Sequence, residues 1–266
     1  MKNVLVTGPC GYLGTRLVKD ILELKKYNIC LLVENINSFS ASACKPDIII
    51  HLASKLPSYQ GDIFNINVDA IKKLITLCNE NTHFVFISSD YVFGENGHKS
   101  YSENDKRFPE TEYGRSKLLC EELLTEALDK ITILRTSMLY GYHNSKRNNF
   151  IQFLFNSLKN NQHIRLFTDV YCRPTHVGDL CNFIFDVIEG EKFGIFHSCS
   201  KEYINRLELA KIFCLANGFD TSLLIPSKKP LGDPWPLSLN LQPSPEFLKI
   251  AKTSLVNGLK YNISES

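Results

Sequence analysis

The stretch NVLVTGPCGYLGTRLVKDILELKK, residues 3–26, carries three local signals in an order that admits few folds. NVLV, residues 3–6, is a short apolar run and reads as a buried strand. Glycines follow at 8, 11 and 14. Leu13, Leu17, Ile21 and Leu24 then recur at helical spacing, so a helix opens within the glycine series. Glycine lets backbone approach a pyrophosphate while turning tightly, and the helix N-terminus adds unpaired N–H groups and partial positive charge. The loop therefore reads as a dinucleotide phosphate cradle, with Gly8, Gly11, Tyr12, Leu13 and Gly14 as candidate contacts.

Working outward, the same alternation continues. NICLLVEN (28–35) and DIIIHLA (47–53) read as strands, and NVDAIKKLITLCNEN (67–81) has helical period. HFVFISSDYVFG (83–94) is a strand ending in small hydroxyl residues, followed by a helix over 113–129 and the strand ITILRTSMLYG (131–141). NFIQFLFNSLKNN (149–161) gives a further helix. A repeated β-α series of this kind predicts an α/β fold, a Rossmann-type doubly wound parallel sheet with helices on both faces. Beyond residue 165 regularity drops, with helices near 178–190 and 205–217. Prolines at 226, 230, 234, 236, 243 and 245 predict an irregular surface segment. Residues 1–165 are expected to form the NAD(P)-binding domain, and residues 166–266 mainly a smaller, irregular substrate-binding region whose elements partly pack back on the sheet.

Bulk properties narrow the partners. The 266 residues suffice for a substantial core. The 30 basic residues are scattered among 28 acidic ones for a net charge of +2, with no basic block that would suit nucleic acid. Cysteines at 10, 30, 44, 78, 120, 172, 181, 199 and 214 show neither C-x-x-C nor histidine spacing, so free buried thiols in a reducing compartment are expected, with no metal site. The N-terminal apolar run is too short for a signal-peptide core and no run approaches a membrane span, which points to the cytoplasm.

Two tyrosines stand four residues before a lysine: Tyr113 with Lys117, and Tyr142 with Lys146. With 11 tyrosines and 22 lysines such a pair arises roughly once by chance. Tyr113 and Lys117 fall on a helix, where positions i and i+4 share a face. Tyr142 and Lys146 lie in the turn-rich GYHNSKRNN, which gives them no shared face. An ammonium beneath a phenol favours phenolate, so Lys117 is expected to lower the pKa of Tyr113 and fit it for proton transfer near neutrality.

The G-x-x-G-x-x-G spacing, Ser89 in FISSDYVFG and Tyr113 and Lys117 in YGRSK together resemble the extended short-chain dehydrogenase/reductase superfamily. The resemblance implies that Ser89, Tyr113 and Lys117 are catalytic: Ser89 binds the substrate oxygen, Tyr113 protonates it, and Lys117 also holds the nicotinamide ribose. It tightens to the dTDP-4-dehydrorhamnose reductase family through PDIIIHLAS, ISSDYVFGENG, YGRSKLLCE, ILRTSMLYG, NNF and RPTHVGDL. By this likeness Ala53, Ser54 and Lys55 line the cofactor, NAD(H) or NADP(H), and Ser89, Asp90, Met138, Asn149 and Arg173 face a nucleotide-sugar substrate. Met138 stands where the family has Trp, and Arg173 where it has a small residue. Tyr91 follows Asp90 where the related 4,6-dehydratases carry glutamate, which favours reduction or 4-epimerisation over dehydration.

The resemblance implies a reductase of a 4-keto-6-deoxysugar, with a nucleotide-sugar 4-epimerase and a non-catalytic regulatory subunit as alternatives, and it leaves room for a homodimer. Glu34, 20 residues after Gly14, is placed to accept from an adenosine ribose; alternatively Asn35 and Ile36 lie beside adenine. Asn67 reads as a helix cap or as a brace for the cofactor strand, the cap being preferred. Trp235 reads as cover for the sugar cleft or filler of the surface segment. Arg165 and Arg173 are candidates to pair with a diphosphate.

Overall fold

The structure, a computed structural model, describes residues 1–33, 45–55, 61–141, 149–230 and 238–261. Its first half runs β1 (Lys2–Thr7), α1 (Tyr12–Leu24), β2 (Tyr27–Leu32), β3 (Ile48–His51), α2 (Ile63–Ile75), β4 (His83–Ser89), α3 (Glu112–Ala127) and β5 (Ile131–Thr136). There follow β6 (Leu139–Tyr140), α4 (Phe150–Lys159), β7 (Ile164–Phe167), β8 (Tyr171–Cys172), β9 (Thr175–His176), α5 (Val177–Glu189) and β10 (Gly194–His197). The chain continues through β11 (Ile204–Asn205), α6 (Arg206–Asn217), β12 (Leu224–Ser227), α7 (Pro245–Ile250) and α8 (Leu255–Gly258).

Six parallel strands form the central sheet in the order β10-β5-β4-β3-β1-β2. The chain steps from β1 to β2 on one side and to β3 on the other, so the order reverses between β1 and β3, and the crevice outside the carboxyl ends of those strands is the place where open α/β sheets bind ligands. Strand periodicity accounts for the two helical layers. Val4, Val6, Ile48, Ile50, Val85 and Ile87 pack with Leu17 and Ile21 of α1 and Phe183 of α5. Their neighbours Leu5, Ile49, Phe84 and Phe86 pack on the other face with Ile71 of α2 and Leu124 of α3. A third apolar cluster joins α4, β7, α6, β12 and α8, while α5, β10 and α7 belong to the sheet.

Several boundaries differ from the sequence reading. The strand predicted over 131–141 breaks at Ser137 and Met138: β5 stays in the sheet, β6 pairs with β9, and the Met138 carbonyl accepts from Thr175 N at 2.8 Å. The proline-rich stretch is partly regular, because Pro226 lies in β12, paired among the described residues only with β7, and Pro245 opens α7, where its missing N–H costs nothing. Cys10 is exposed on the glycine turn instead of buried. Among the described residues no helix is long and apolar enough to cross a membrane.

One buried ionic cluster fixes α3 to the sheet. Glu121, one turn beyond Lys117, accepts from Arg135 Nε at 3.0 Å and Nη2 at 2.8 Å, from Ser88 Oγ at 2.5 Å and from Arg107 Nη1 at 3.1 Å. Glu121 and Arg135 are both fully buried, and stripping one partner from such a pair costs about 3–5 kcal/mol. The cluster ties the helix that carries Tyr113 to the strand end that carries Ser89.

Candidate active site

The glycine turn opens the crevice. Gly8 has φ +66°, and a Cβ there would meet Ala53 N at 2.8 Å, so the position is closed to side chains on both counts. A Cβ on Gly14 would stand 2.2 Å from the Gly8 carbonyl oxygen, which lets α1 start tight against the turn. Helices α2, α3, α4 and α6 carry side-chain caps from Asp62, Thr111, Asn149 and Asn205. Helix α1 has none, and no acidic residue in its first turn. Its first N–H groups and its partial positive charge thus remain available to an anion, as a dinucleotide pyrophosphate requires. Leu13 and Gly14 are buried beneath the turn and Tyr12 is half-buried.

The end of β3 lies against this turn. Ala53 N donates to Thr7 Oγ1 at 3.2 Å, and the buried His51 pairs its Nδ1 with the same hydroxyl at 2.7 Å. His51 stacks on Phe86 at 5.8 Å between centroids, and burial with the nearby Lys117 charge pushes its pKa down to about 3, so the imidazole is neutral. Asn67, preferred from sequence as a cap, is not one: α2 begins four residues earlier and is capped by Asp62. Its buried amide accepts from Lys55 N at 2.8 Å and donates to the Lys55 carbonyl at 3.3 Å and to Ser116 Oγ at 3.1 Å. Asn67 therefore braces the Ser54–Lys55 segment against α3.

Helix α3 presents the pair. Thr111 Oγ1 caps it by accepting from Gly114 N at 3.0 Å, and a Cβ on Gly114 would stand 2.0 Å from the Tyr91 carbonyl oxygen, so only glycine lets the helix start this close to the end of β4. The Ser54 and Ser89 hydroxyls lie near enough to the Tyr113 phenol to favour its ionised form. Ser89 Oγ in turn donates to Asp90 Oδ1 at 2.9 Å. Lys117 is buried, donates to the Ile87 carbonyl at 2.7 Å, and lies 4.6 Å from the Phe86 ring centroid and 5.9 Å from that of Tyr113. The three residues singled out from sequence converge, with Ser54 joining them to the turn that abuts Gly8.

The electrostatics reverse one expectation. Tyr113 is shifted above, not below, the ordinary phenol value: burial is the main cause, the Asp90 charge adds to it, and the hydrogen bonds from Ser54 and Ser89 offset only part. The Lys117 ammonium is committed to a carbonyl and is itself pushed down to about 8 by burial. As it stands the site holds a phenol that keeps its proton, above a lysine that is mostly charged at neutral pH. Asp90 is also buried, and burial raises its carboxyl to about 6 despite the Ser89 hydrogen bond and the Arg206 charge.

The residues that the sequence reading expects to face the substrate are more dispersed. Met138 is half-buried beside the Arg206 guanidinium, and the Asn149 side chain caps α4 by accepting from Gln152 N at 2.8 Å. Arg173 donates to Asn240 Oδ1 at 2.7 Å and to the Lys201 carbonyl, and lies 5.4 Å from the Tyr203 ring centroid. Arg165 is exposed on β7. Glu34, Asn35, Ile36, Tyr142, Lys146 and Trp235 lie outside the described residues. Arg206, at the first position of α6, was missed by the sequence reading; the start of that helix was legible, but not that its first side chain turns toward residue 138.

Known proteins resemble this chain in sequence and in fold. Over 249 residues the chain is 28% identical to the spore coat polysaccharide biosynthesis protein SpsK of Bacillus subtilis (strain 168), covering 89% of this chain and 87% of that one. It is 29% identical over 237 residues to a dTDP-4-dehydrorhamnose reductase of Aggregatibacter actinomycetemcomitans, covering 79% and 77%. The crystal structure of dTDP-4-dehydrorhamnose reductase from Bacillus anthracis str. Ames, in complex with NADP, matches with a TM-score of 0.87 at 25% identity over 100% of this chain and 99% of that one. The sequence pattern of the RmlD substrate binding domain matches residues 1–231, and the chain belongs to that family.

Proposed function

We propose that the protein is an NAD(P)H-dependent reductase of a nucleotide-linked 4-keto-6-deoxysugar, acting in the cytoplasm in deoxysugar and polysaccharide synthesis. The Aggregatibacter relative is named for this reaction and the Bacillus anthracis relative holds NADP. The observation that carries the reading is the convergence of Tyr113, whose ring centroid lies 5.9 Å from the Lys117 ammonium, with the end of β4 that carries Ser89, one short segment from the glycine turn.

When bound, the reduced nicotinamide supplies a hydride for the carbonyl carbon. Gly8, Gly11, Tyr12, Leu13 and Gly14 would hold the phosphates through the turn and the open N-terminus of α1, and Ala53, Ser54 and Lys55 would flank the dinucleotide. The Ser89 hydroxyl orients the keto oxygen, and Tyr113 delivers its proton there as negative charge develops. Lys117 holds positive charge below the ring, favouring the phenolate left behind. A phenol that starts protonated suits the reductive direction, in which it acts first as an acid. Asp90 followed by Tyr91, with no second carboxylate, lacks the acid-base pair of the dehydratases. The same reading divides the chain near residue 165 into dinucleotide-binding and substrate-binding parts and allows a homodimer.

The test is absorbance at 340 nm with dTDP-4-keto-6-deoxysugars and each reduced cofactor. Stoichiometric loss of NADH or NADPH with formation of the 4-hydroxy sugar is expected. Interconversion of sugars without net cofactor oxidation would replace the reductase with an epimerase.

A further inference from the structure

Arg206 is the first residue of α6 and Phe150 the first of α4, and the two meet: the guanidinium carbon lies 5.0 Å from the Phe150 ring centroid. The guanidinium also rests against the sulfur of Met138, which follows the end of β5. From there its charge acts on Asp90 and Tyr91, the two residues directly after Ser89, and the Tyr91 ring packs edge-on against Tyr113 at 5.8 Å. Arg206 thus stands near enough to the segment that follows Ser89 for its charge to be felt there.

Its donors are largely unspent. A guanidinium has five N–H groups and matches oxyanions in a planar, two-pronged way. Among the described contacts only a thioether, a weak acceptor, receives from Arg206, and no described carboxylate forms an ion pair with it. Arg173, by contrast, spends its Nε and Nη1 donors on Asn240 and the Lys201 carbonyl, both strong acceptors. An arginine fixed by an aromatic face on one side and a thioether on the other is oriented before any ligand arrives, which lowers the ordering cost of binding.

We propose that Arg206 binds an oxyanion of the sugar nucleotide and so helps to select the substrate. Two groups share that chemistry, the diphosphate linkage and a carboxylate on the sugar. The proposal rests on the reductase reading only in taking a sugar nucleotide as the occupant.

Titration calorimetry on the full chain and on Arg206→Gln tests it, with thymidine, dTDP, UDP-glucose and UDP-glucuronate as probes and NADPH as the folding control. The wild type is expected to bind dTDP more tightly than thymidine, and the variant to lose roughly tenfold or more in affinity for the oxyanion it reads, with NADPH affinity unchanged. A loss already seen with dTDP identifies the diphosphate; a loss confined to UDP-glucuronate identifies a sugar carboxylate. Should Arg206→Gln fail to hold NADPH, Arg206→Lys keeps the charge without the fork and is expected to show a smaller loss of the same selectivity. Equal affinities in variant and wild type for every oxyanion probe, an equal loss for thymidine, or a wild type that binds none of the four would overturn the proposal. Keto-sugar reduction is read separately at 340 nm, so Arg206 can fail while the reductase reading stands.

Discussion

The two walls of the crevice are built on different principles. On the side proposed for the dinucleotide, Gly8, Ala53, Ser54, Ser89, Tyr113 and Lys117 sit at or just past strand ends or in the first two turns of a helix, and their positions follow from regular elements packed on one sheet. On the side proposed for the substrate, Met138 and Arg173 lie in the links between short strands and Asn149 and Arg206 at helix starts, joined by contacts such as Arg173 to Asn240 and Arg206 to Met138 across 67 and 68 residues of chain. The first wall is stiff because moving one element would break the Glu121–Arg135 cluster and the close approach of Gly114 to Tyr91. The second lies outside the six-stranded sheet, so on the proposed function it is where substrate choice can diverge.

The sharpest way to break this contrast is to remove chemistry from the stiff wall while keeping its shape. Tyr113→Phe deletes the proton donor and keeps the ring against Tyr91. The expected result is a fall in kcat of about 10²–10⁴-fold with melting temperature and dinucleotide binding retained. Residual turnover above about a tenth of wild type would mean that the phenol is not the acid, because general acid catalysis contributes more than that.

Asp90 lies at the seam between the walls, bonded to Ser89 on one side and facing the Arg206 charge on the other. Its carboxyl titrates near 6 in the folded chain against an ordinary 3.8, so the folded state holds the proton more tightly than the unfolded state. The stability this gives is complete below about pH 4, is lost as pH rises through 6, and does not return above it. Asp90→Asn removes the ionisation. Relative to wild type, the variant should gain about 1–3 kcal/mol at pH 8 and little at pH 4, read from denaturant midpoints at the two pH values. An equal shift at both would show that the effect is packing and not charge.

How far the sequence could be read follows the same division. The strand, glycine turn and helix of residues 3–26 are local signals, and so is the Tyr113–Lys117 face, whose meaning depends only on helical spacing. Asn67 was misread because a polar residue near a helix start looks like a cap, whereas its bonds to Lys55 and Ser116 join segments 12 and 49 residues away. The Tyr113 shift was read in the wrong direction because spacing reveals a nearby cation but not burial, nor that the cation is spent on the Ile87 carbonyl. Arg206 was invisible for a related reason: one arginine at a helix start carries no pattern until the fold sets it beside Met138 and Phe150.

The smallest expected effect tests whether the substrate wall holds two anion-reading arginines or one. Arg173 was a sequence candidate for substrate, yet its guanidinium is taken up by Asn240, the Lys201 carbonyl and the Tyr203 face. Arg173→Gln keeps part of that hydrogen bonding and deletes the charge, so the loss should fall on folding, at about 1 kcal/mol. For a chain of this size that lowers the melting temperature by about 2–4 °C. KM for the sugar nucleotide should stay at its wild-type value, because the Nε and Nη1 donors of Arg173 are already held by Asn240 and the Lys201 carbonyl. If KM instead rose tenfold with the melting temperature unmoved, Arg173 would be exchanging its protein partners for substrate, and the substrate wall would read anions at two points instead of through Arg206 alone.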